Sequence, residues 1–418
     1  MVTAIALTVV EEPEVGVEEE LRARLVRYPA PRYPMQHATA QFHLGVLMTN
    51  AGRLEEAARA LETASSLFDP QNLPEEHAKS QNAFGAVLRL QGRPAEAAHA
   101  FEEAAALFEQ SGAALERGAA EFNLGLVHRD LGDLQAAIRS FEAARALLDS
   151  AKVPSQAAGA ARELGVSLLQ AGDGEGAIGY LEAGMKLAER GGDRPGLGAT
   201  ANVLGLAYLS LGDLQLAVEA LQAAVATNPR TIRPDAYAMA KANLALAYEQ
   251  AGDAPRARLA ARQALQLGAA AGPVEAQAAE ILGRLGNPPG DLLAALDAED
   301  AAAWPAMVRE ELIRWIGAPS QVCRAETHAW IAGVAARREA AGDLAEAWLG
   351  ALLELPPQEM ERAITATLQA LASRDQEIQT RFRSAVSGAM PRFHSPQFMR
   401  MKDAFARIAS SSGVEGWS

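Results

Sequence analysis

Apolar and polar positions along this chain recur with a period of forty residues. A glycine inside an apolar helical pattern stands at Gly45, Gly85, Gly125, Gly165 and Gly205, with Ala245 in the sixth place. A second glycine follows at Gly52, Gly92, Gly132, Gly172, Gly212 and Gly252, and an alanine after it at Ala57, Ala97, Ala137, Ala177, Ala217 and Ala257. Around the first glycine the pattern is that of a helix, as in Phe42-His43-Leu44-Gly45-Val46-Leu47-Met48. Glycine there costs roughly 1 kcal/mol against alanine. Its recurrence predicts a neighbouring helix near the short end of the usual ~8–10 Å spacing. The second glycine is read as a helix end in the left-handed conformation, which glycine adopts without steric penalty. Asp133, Asp173, Asp213 and Asp253 follow it, placed to cap the next helix by accepting from its first-turn N–H groups. That helix alternates small and large apolar residues, as in Ala97, Phe101 and Ala104 or Ala137, Phe141 and Ala144. Each period is a helix–turn–helix, and six in series make a solenoid.

The set Asn123-Leu124-Gly125, His128, Gly132-Asp133, Ala137, Phe141 and Ala144 resembles the tetratricopeptide repeat pattern, echoed by Asn243-Leu244-Ala245, Tyr248, Gly252-Asp253, Ala257 and Ala264. The resemblance runs from Pro34 to Leu267 and stays in phase throughout. It departs from the family in two ways: the usual period is about 34 residues, and the closing proline is irregular. The extra residues fall between hairpins, in Asp69–Pro74 and Asn228–Pro234. Pro34, Pro74, Pro154 and Pro234 share a register suited to a first helical turn, so the first helices are expected to start about a turn early. The resemblance implies an all-α fold: a right-handed solenoid of six helical hairpins with capping helices, then a C-terminal α-helical domain. Longer repeats of this type resemble those of peptide-responsive bacterial regulators and of motor and polarity adaptors.

The chain reads as four segments. Residues 1–33 hold an N-terminal stretch, Met1 to Gly16, that is apolar and then acidic and is either extended or a degenerate helix, followed by a capping helix over Val17–Tyr28. Residues 34–272 are the six repeats. Residues 273–290 are a closing helix, Pro273–Leu285, and the linker Gly286-Asn287-Pro288-Pro289-Gly290. Residues 291–418 lose the phase but stay helical, with helices expected near Ala301–Ile316, Pro357–Ala372, Arg374–Ser387 and Ser395–Ser410. Trp330–Ala341, Gly342-Asp343 and Leu344–Trp348 look like a decayed repeat hairpin. Trp304, Trp315, Trp330 and Trp348 are read as a separate core in preference to a docking surface. Arg374, Arg381, Arg383, Arg392, Arg400, Lys402 and Arg407 make the last stretch basic. A solvated helix face explains them; contact with an acidic partner, the solenoid or a sister subunit is the alternative.

Charge and composition narrow the functional classes. A net charge of −14 argues against nucleic-acid binding through phosphate contacts. Cys323 is the one cysteine, which leaves no disulfide framework and fits a reducing compartment. The apolar opening Thr3–Val10 lacks a basic flank, a poor secretion signal, and no run reaches membrane-spanning length. The expectation is a cytoplasmic protein without membrane or nucleic-acid partners.

Equivalent positions on the first helices would stack side by side along a groove. Three columns stand out: Phe42, Asn82, Phe122, Arg162, Asn202, Ala242; then His43, Ala83, Asn123, Glu163, Val203, Asn243; then Thr49, Arg89, Arg129, Leu169, Leu209, Glu249. By resemblance to peptide-binding members of the family, Asn82, Asn123, Asn202 and Asn243 would grip a ligand's main chain, since asparagine both donates and accepts. Arg89, Arg129 and Arg162 would meet a carboxylate or phosphate, favouring a protein or peptide segment that is acidic or ends in its C-terminal carboxylate. The plainer explanation is internal: Arg129 pairing with Asp130 or Glu163, and asparagines satisfying neighbouring helix ends. Phe42 and Phe122 are read as anchors between helices. His37 and His77 sit one period apart and need no metal to explain them. Cys323 and His328 lie five residues apart on poorly matched helix faces. No phosphate-binding loop is present, and Gly172-Asp173-Gly174-Glu175-Gly176 belongs to a repeat turn. No catalytic constellation, cofactor or metal is expected.

The leading expectation is therefore a non-catalytic protein- or peptide-binding scaffold, an adaptor or assembly factor. A second is a ligand-switched regulator whose C-terminal helices are the effector, supported if Gly286–Gly290 is a free hinge. A third is a helical enzyme or cofactor carrier with a pocket between the halves, which needs a buried polar cluster around Trp315, Cys323 and His328. Homo-oligomerisation through the C-terminal domain stays open.

Overall fold

A computed structural model describes residues 15–266 and 272–412 of the chain. The apolar and acidic opening, Met1 to Gly16, lies outside the described residues except for its last two, and the Thr3–Val10 stretch lies wholly outside. Among the described residues every regular element is helical, and none is long and apolar enough to cross a membrane. They fall into two compact units that divide after Asn228.

The first unit opens with α1 (Val15–Arg27), close to the expected capping helix. Five hairpins follow: α2 (Pro34–Asn50) with α3 (Leu54–Leu67), α4 (Pro74–Leu90) with α5 (Pro94–Ser111), and α6 (Ala114–Asp130) with α7 (Leu134–Ser150). Then come α8 (Pro154–Gln170) with α9 (Gly174–Arg190), and α10 (Arg194–Leu211) with α11 (Leu214–Thr227). Pro34, Pro74 and Pro154 stand in first turns, where the missing N–H loses nothing, so these helices do start early. Gly52 and Gly172 close their turns at φ +72° and +83°, left-handed backbone that a β-carbon would strain. Asp133 and Asp173 cap α7 and α9 by accepting from Ala136 N at 2.9 Å and Gly176 N at 2.8 Å. Asp213 departs from that expectation, since its side chain makes no cap bond to α11.

The mid-helix glycines are where each hairpin closes. A β-carbon on Gly125 would lie 2.7 Å from Phe141 Cε1, and one on Gly165 would lie 2.5 Å from Leu181 Cδ2. Phe141 and Leu181 are fully buried, so neither has solvent to retreat into. The large apolar residue of the second helix thus fills the space the glycine leaves. His37 and His77 pin the chain between hairpins: Nδ1 of His37 donates to the Tyr28 carbonyl at 2.9 Å, and Nδ1 of His77 to the Phe68 carbonyl at 2.9 Å. Both rings therefore satisfy carbonyls at the end of the preceding helix.

The second unit holds the sixth hairpin, α12 (Pro234–Gln250) with α13 (Ala254–Leu265), then α14 (Pro273–Leu285) and α15 (Asp291–Asp297). In this hairpin Ala245 replaces the glycine, and the position that is Leu or Phe elsewhere is Ala261; both are fully buried. A small pair stands in for a glycine and a large residue. Asp253 caps α13 through Arg256 N at 3.0 Å. The unit is completed by α16 (Trp304–Gly317), α17 (Ser320–Ala336), α18 (Ala341–Glu354), α19 (Pro357–Ala372), α20 (Gln376–Ala389) and α21 (Ser395–Ser412). Here neighbours in sequence are not the main partners: α16 packs on α18, α18 on α20, α19 on α21, and α17 equally on α19 and α20. The shared core is aromatic. Trp348 lies fully buried and edge-on to Phe382 and Phe405, with ring centroids 6.0 Å apart in both pairs.

Two local details differ from the sequence pattern. Arg337 leaves helical geometry at φ −93°, ψ 77°, its guanidinium bonded to the Asp297 carboxylate, so α17 stops at Ala336. Gly342 and Asp343 consequently sit in the first turn of α18, not in a turn between helices. The basic C-terminal stretch is largely matched within the unit: Arg392 bonds Asp343 and Glu346, Arg407 bonds Glu361, and Arg374 donates to the His328 carbonyl.

Candidate functional site

Helical geometry sets which side chains of a first helix point away from its partner. At about 100° per residue, the position just after the mid-helix glycine and the position two before it stand roughly 100° and 160° around the helix from the buried glycine. In the first unit the former column reads Val46, Ala86, Leu126, Val166 and Leu206; Leu126 is buried and the others half-buried. It forms an apolar ribbon, extended in the fourth and fifth hairpins by Leu169, Val203 and Leu209, all half-buried. This ribbon was not singled out from the sequence. Its signal was present in the forty-residue register, but conservative apolar residues in a helix read first as core.

The polar candidates flank the ribbon. Asn82 and Asn123 are brought together across neighbouring first helices, with Asn123 Nδ2 donating to Asn82 Oδ1 at 3.1 Å. Asn123 is buried and Asn82 half-buried. Arg89 Nε reaches Asp130 Oδ2 at 2.5 Å in the next hairpin, with Nη2 to Oδ1 at 3.4 Å, a two-point contact. Arg129 Nη1 donates to Glu163 Oε2 at 2.7 Å, and Arg162 Nη2 to Glu163 Oε1 at 3.2 Å. Arg129 and Arg162 thus share one carboxylate, while Arg89 stands apart on Asp130. Among these pairs only Arg129 and Arg162 have to share a carboxylate. The Arg129 guanidinium also lies over the Phe141 ring, 5.8 Å from its centroid. Nearby, burial pushes the Glu121 carboxyl up, with Arg117 offsetting part of the effect.

Asn202 is buried at 8% exposure on α10. Asn243 belongs to the second unit, where Gln277 Nε2 of α14 donates to its Oδ1 at 3.2 Å. Phe122 is buried and meets Phe141 edge-on at 5.6 Å, an anchor within its hairpin, and Phe42 packs half-buried against the first two hairpins.

The second unit contains a buried polar cluster next to Trp315, built from residues other than Cys323 and His328. Arg258 and Arg262 of α13 both bond Asp291, and Arg262 also donates to Asn287 Oδ1 and the Pro288 carbonyl, each at 2.6 Å. The segment Gly286–Gly290 is therefore tied to the sixth hairpin, with Gly290 N donating to Glu326 Oε2 at 2.9 Å. Arg314 joins Glu311 to Glu326 at 2.8 and 2.7 Å. Burial pushes the Cys323 thiol up, while burial and the nearby Arg374 and Arg324 hold the His328 ring down. Among the described residues no group of three or more His, Cys, Asp or Glu side chains is placed to hold a metal.

Family profiles described as tetratricopeptide repeat match residues 76–150 and 156–229, and a second such profile matches residues 122–189 and 202–272. No curated protein matches the chain. Among solved structures, BtubC (BKLC) from P. vanneervenii is 18% identical, with 53% of this chain and 90% of that chain covered and a TM-score of 0.44. The Cut9–Hcn1 hetero-tetramer of the APC/C is 20% identical, with 65% of this chain and 46% of that chain covered and a TM-score of 0.48. YrrB, described as a TPR protein with an unusual peptide-binding site, is 20% identical, with 53% of this chain and 96% of that chain covered and a TM-score of 0.37.

Proposed function

Residues 76–272 make the chain a tetratricopeptide repeat protein, and from that premise we propose that it is a non-catalytic scaffold, an adaptor or assembly factor, holding a segment of a partner protein along the first helices of its repeats. The observation that carries this reading is the asymmetric face of the first unit, an apolar ribbon flanked by three arginines that share two carboxylates. An acidic side chain or a C-terminal carboxylate neutralises the surplus charge at Arg129 and Arg162. In this reading Asn82, whose carbonyl oxygen accepts from Asn123, uses its amide N–H groups to donate to a main-chain carbonyl of the same segment. The scaffold works in the cytoplasm, where Cys323 stays reduced.

Arg89 and Arg129 also bond neighbouring hairpins, so simple charge reversal there mixes loss of ligand with loss of structure. A swapped pair separates the two. Arg89→Asp combined with Asp130→Arg keeps an ion pair between hairpins, and Arg162→Gln removes one of the two cations that share Glu163. The probe is a set of fluorescent acidic peptides, amidated or free at the C-terminus, followed by anisotropy. The expected result is that binding falls at least tenfold in both variants while helicity and melting stay within error of the parent. Undiminished peptide binding in both would move the site off this face.

A further inference from the structure

The buried cluster of the second unit has one weak member. Glu311 is fully buried and saturated: Arg314 Nε at 2.8 Å, Gln263 Nε2 at 3.1 Å and the Trp315 indole N–H at 3.3 Å all donate to its carboxylate. Asp291 takes Arg258 and Arg262, and Glu326 takes Arg314 and Gly290 N. Glu310, the chain neighbour of Glu311, is 22% exposed, and its hydrogen bond is a long one, from Lys241 Nζ at 3.4 Å. Lys241 has its own shorter bond, donating to Gln263 Oε1 at 2.6 Å, and is 12% exposed. The contact links α12 and α13 of the last repeat to α16, the first long helix after the linker.

We propose that Lys241, Glu310 and Glu311 form a proton-operated latch between the sixth repeat and the C-terminal helices, tight at acidic pH and progressively weakened as the solution is raised to mildly alkaline pH. Two carboxyls side by side with one buried amine cannot all be charged cheaply, because burial penalises each ion and the two acids repel. A proton on Glu310 lets it stay packed. The groups facing this pair are Lys241 of α12, Gln263 and Arg262 of α13, Arg230 before α12, Arg314 on α16 itself, and Glu326 of α17. From α18, Glu354 is taken by Arg309.

The direction of the titration agrees with the geometry. Burial first, and then Glu311, push the Glu310 carboxyl up to about 8, with Arg230 offsetting part; burial lowers Lys241 to about 8. A carboxyl raised in the folded state favours packing at low pH; that contribution is complete below its ordinary value of 4.5 and is lost progressively as pH rises from there to about 8. Lys241 is the reverse case: its lowered value costs stability below about 8, and the cost is relieved only as pH climbs toward its ordinary value. The latch is therefore weakest just above the point where Glu310 ionises.

Intrinsic tryptophan emission of the full-length protein tests this, because Trp315 bonds the cluster directly and Trp304, Trp330 and Trp348 share its unit. The wild type is expected to show an emission shift with a midpoint near pH 8, together with a lower urea midpoint above it than at mildly acidic pH. Glu310→Gln, which mimics the protonated acid, removes both changes. Lys241→Met removes the adjacent cation and moves the midpoint up by about one pH unit. Because Glu310→Gln preserves the hydrogen-bonding shape, it is expected to fold; Glu310→Met serves as the second variant should it not. No transition in the wild type, or an unaltered midpoint in Glu310→Gln or in Lys241→Met, overturns the latch.

Discussion

The five hairpins of the first unit and helices α16–α21 of the second are both all-α, yet they are held together on different principles. In the hairpins a glycine on one helix meets a leucine or phenylalanine on the next helix in sequence, as Gly125 meets Phe141, and the fit is repeated unit after unit. In α16–α21 the main contacts skip one or two helices, and large aromatics such as Trp348, Phe382 and Phe405 lock several elements at once. The first arrangement distributes stability into local, additive pieces, as repeat proteins do. The second concentrates it, so that losing one side chain is felt by every helix that touches it.

The largest test of that contrast is Trp348→Ala. Removing a fully buried tryptophan that contacts two phenylalanines should cost about 3–5 kcal/mol. Because the core is shared, urea unfolding followed by the remaining tryptophans should move as one transition. A small, separable loss confined to one helix would show that α16–α21 are as modular as the repeats.

Next in size is Gly125→Ala in the hairpins. On an open helix face this change stabilises by about 1 kcal/mol through helix propensity. Here the new β-carbon would stand 2.7 Å from Phe141, and overpacking should outweigh the gain, leaving a net loss of about 1–2 kcal/mol. Gly125→Leu should be worse still and break the array at the third hairpin. Circular dichroism melts of both decide it, and a variant as stable as the parent would remove the close-packing account of the glycine column. The sixth hairpin has already solved the problem differently, with a buried alanine at both positions, Ala245 and Ala261, so Ala245→Gly should lose little beyond its propensity, about 1 kcal/mol.

The same contrast explains what could be read from the sequence. Period, hairpin order, the left-handed glycines and the early proline starts were legible, because local contacts leave their mark at fixed spacing. Arg129 was legible as a choice between Asp130 and Glu163, and the structure pairs it with Glu163 while giving Asp130 to Arg89. The cluster of Lys241, Glu310 and Glu311 was invisible: Lys241 is far from the two acids in sequence, and each alone reads as an ordinary surface charge. For the same reason the end of α17 was missed, since it depends on Arg337 finding Asp297, a partner forty residues earlier.

Helix ends supply the smallest test, and a control on the whole comparison. Asp133 caps α7 in the hairpins and Asp375 caps α20 in the second unit, each accepting a backbone N–H at 2.9 Å. Caps act within one turn, so Asp133→Ala and Asp375→Ala should each cost about 1 kcal/mol regardless of region. Asp213 makes no cap bond, and Asp213→Ala should fall within about 0.5 kcal/mol of the parent. Equal costs at Asp133 and Asp375 would place the difference between the two regions in side-chain packing alone. Unequal ones would mean that the aromatic core also steadies its helix ends, so that even a local bond draws on the concentrated framework around it.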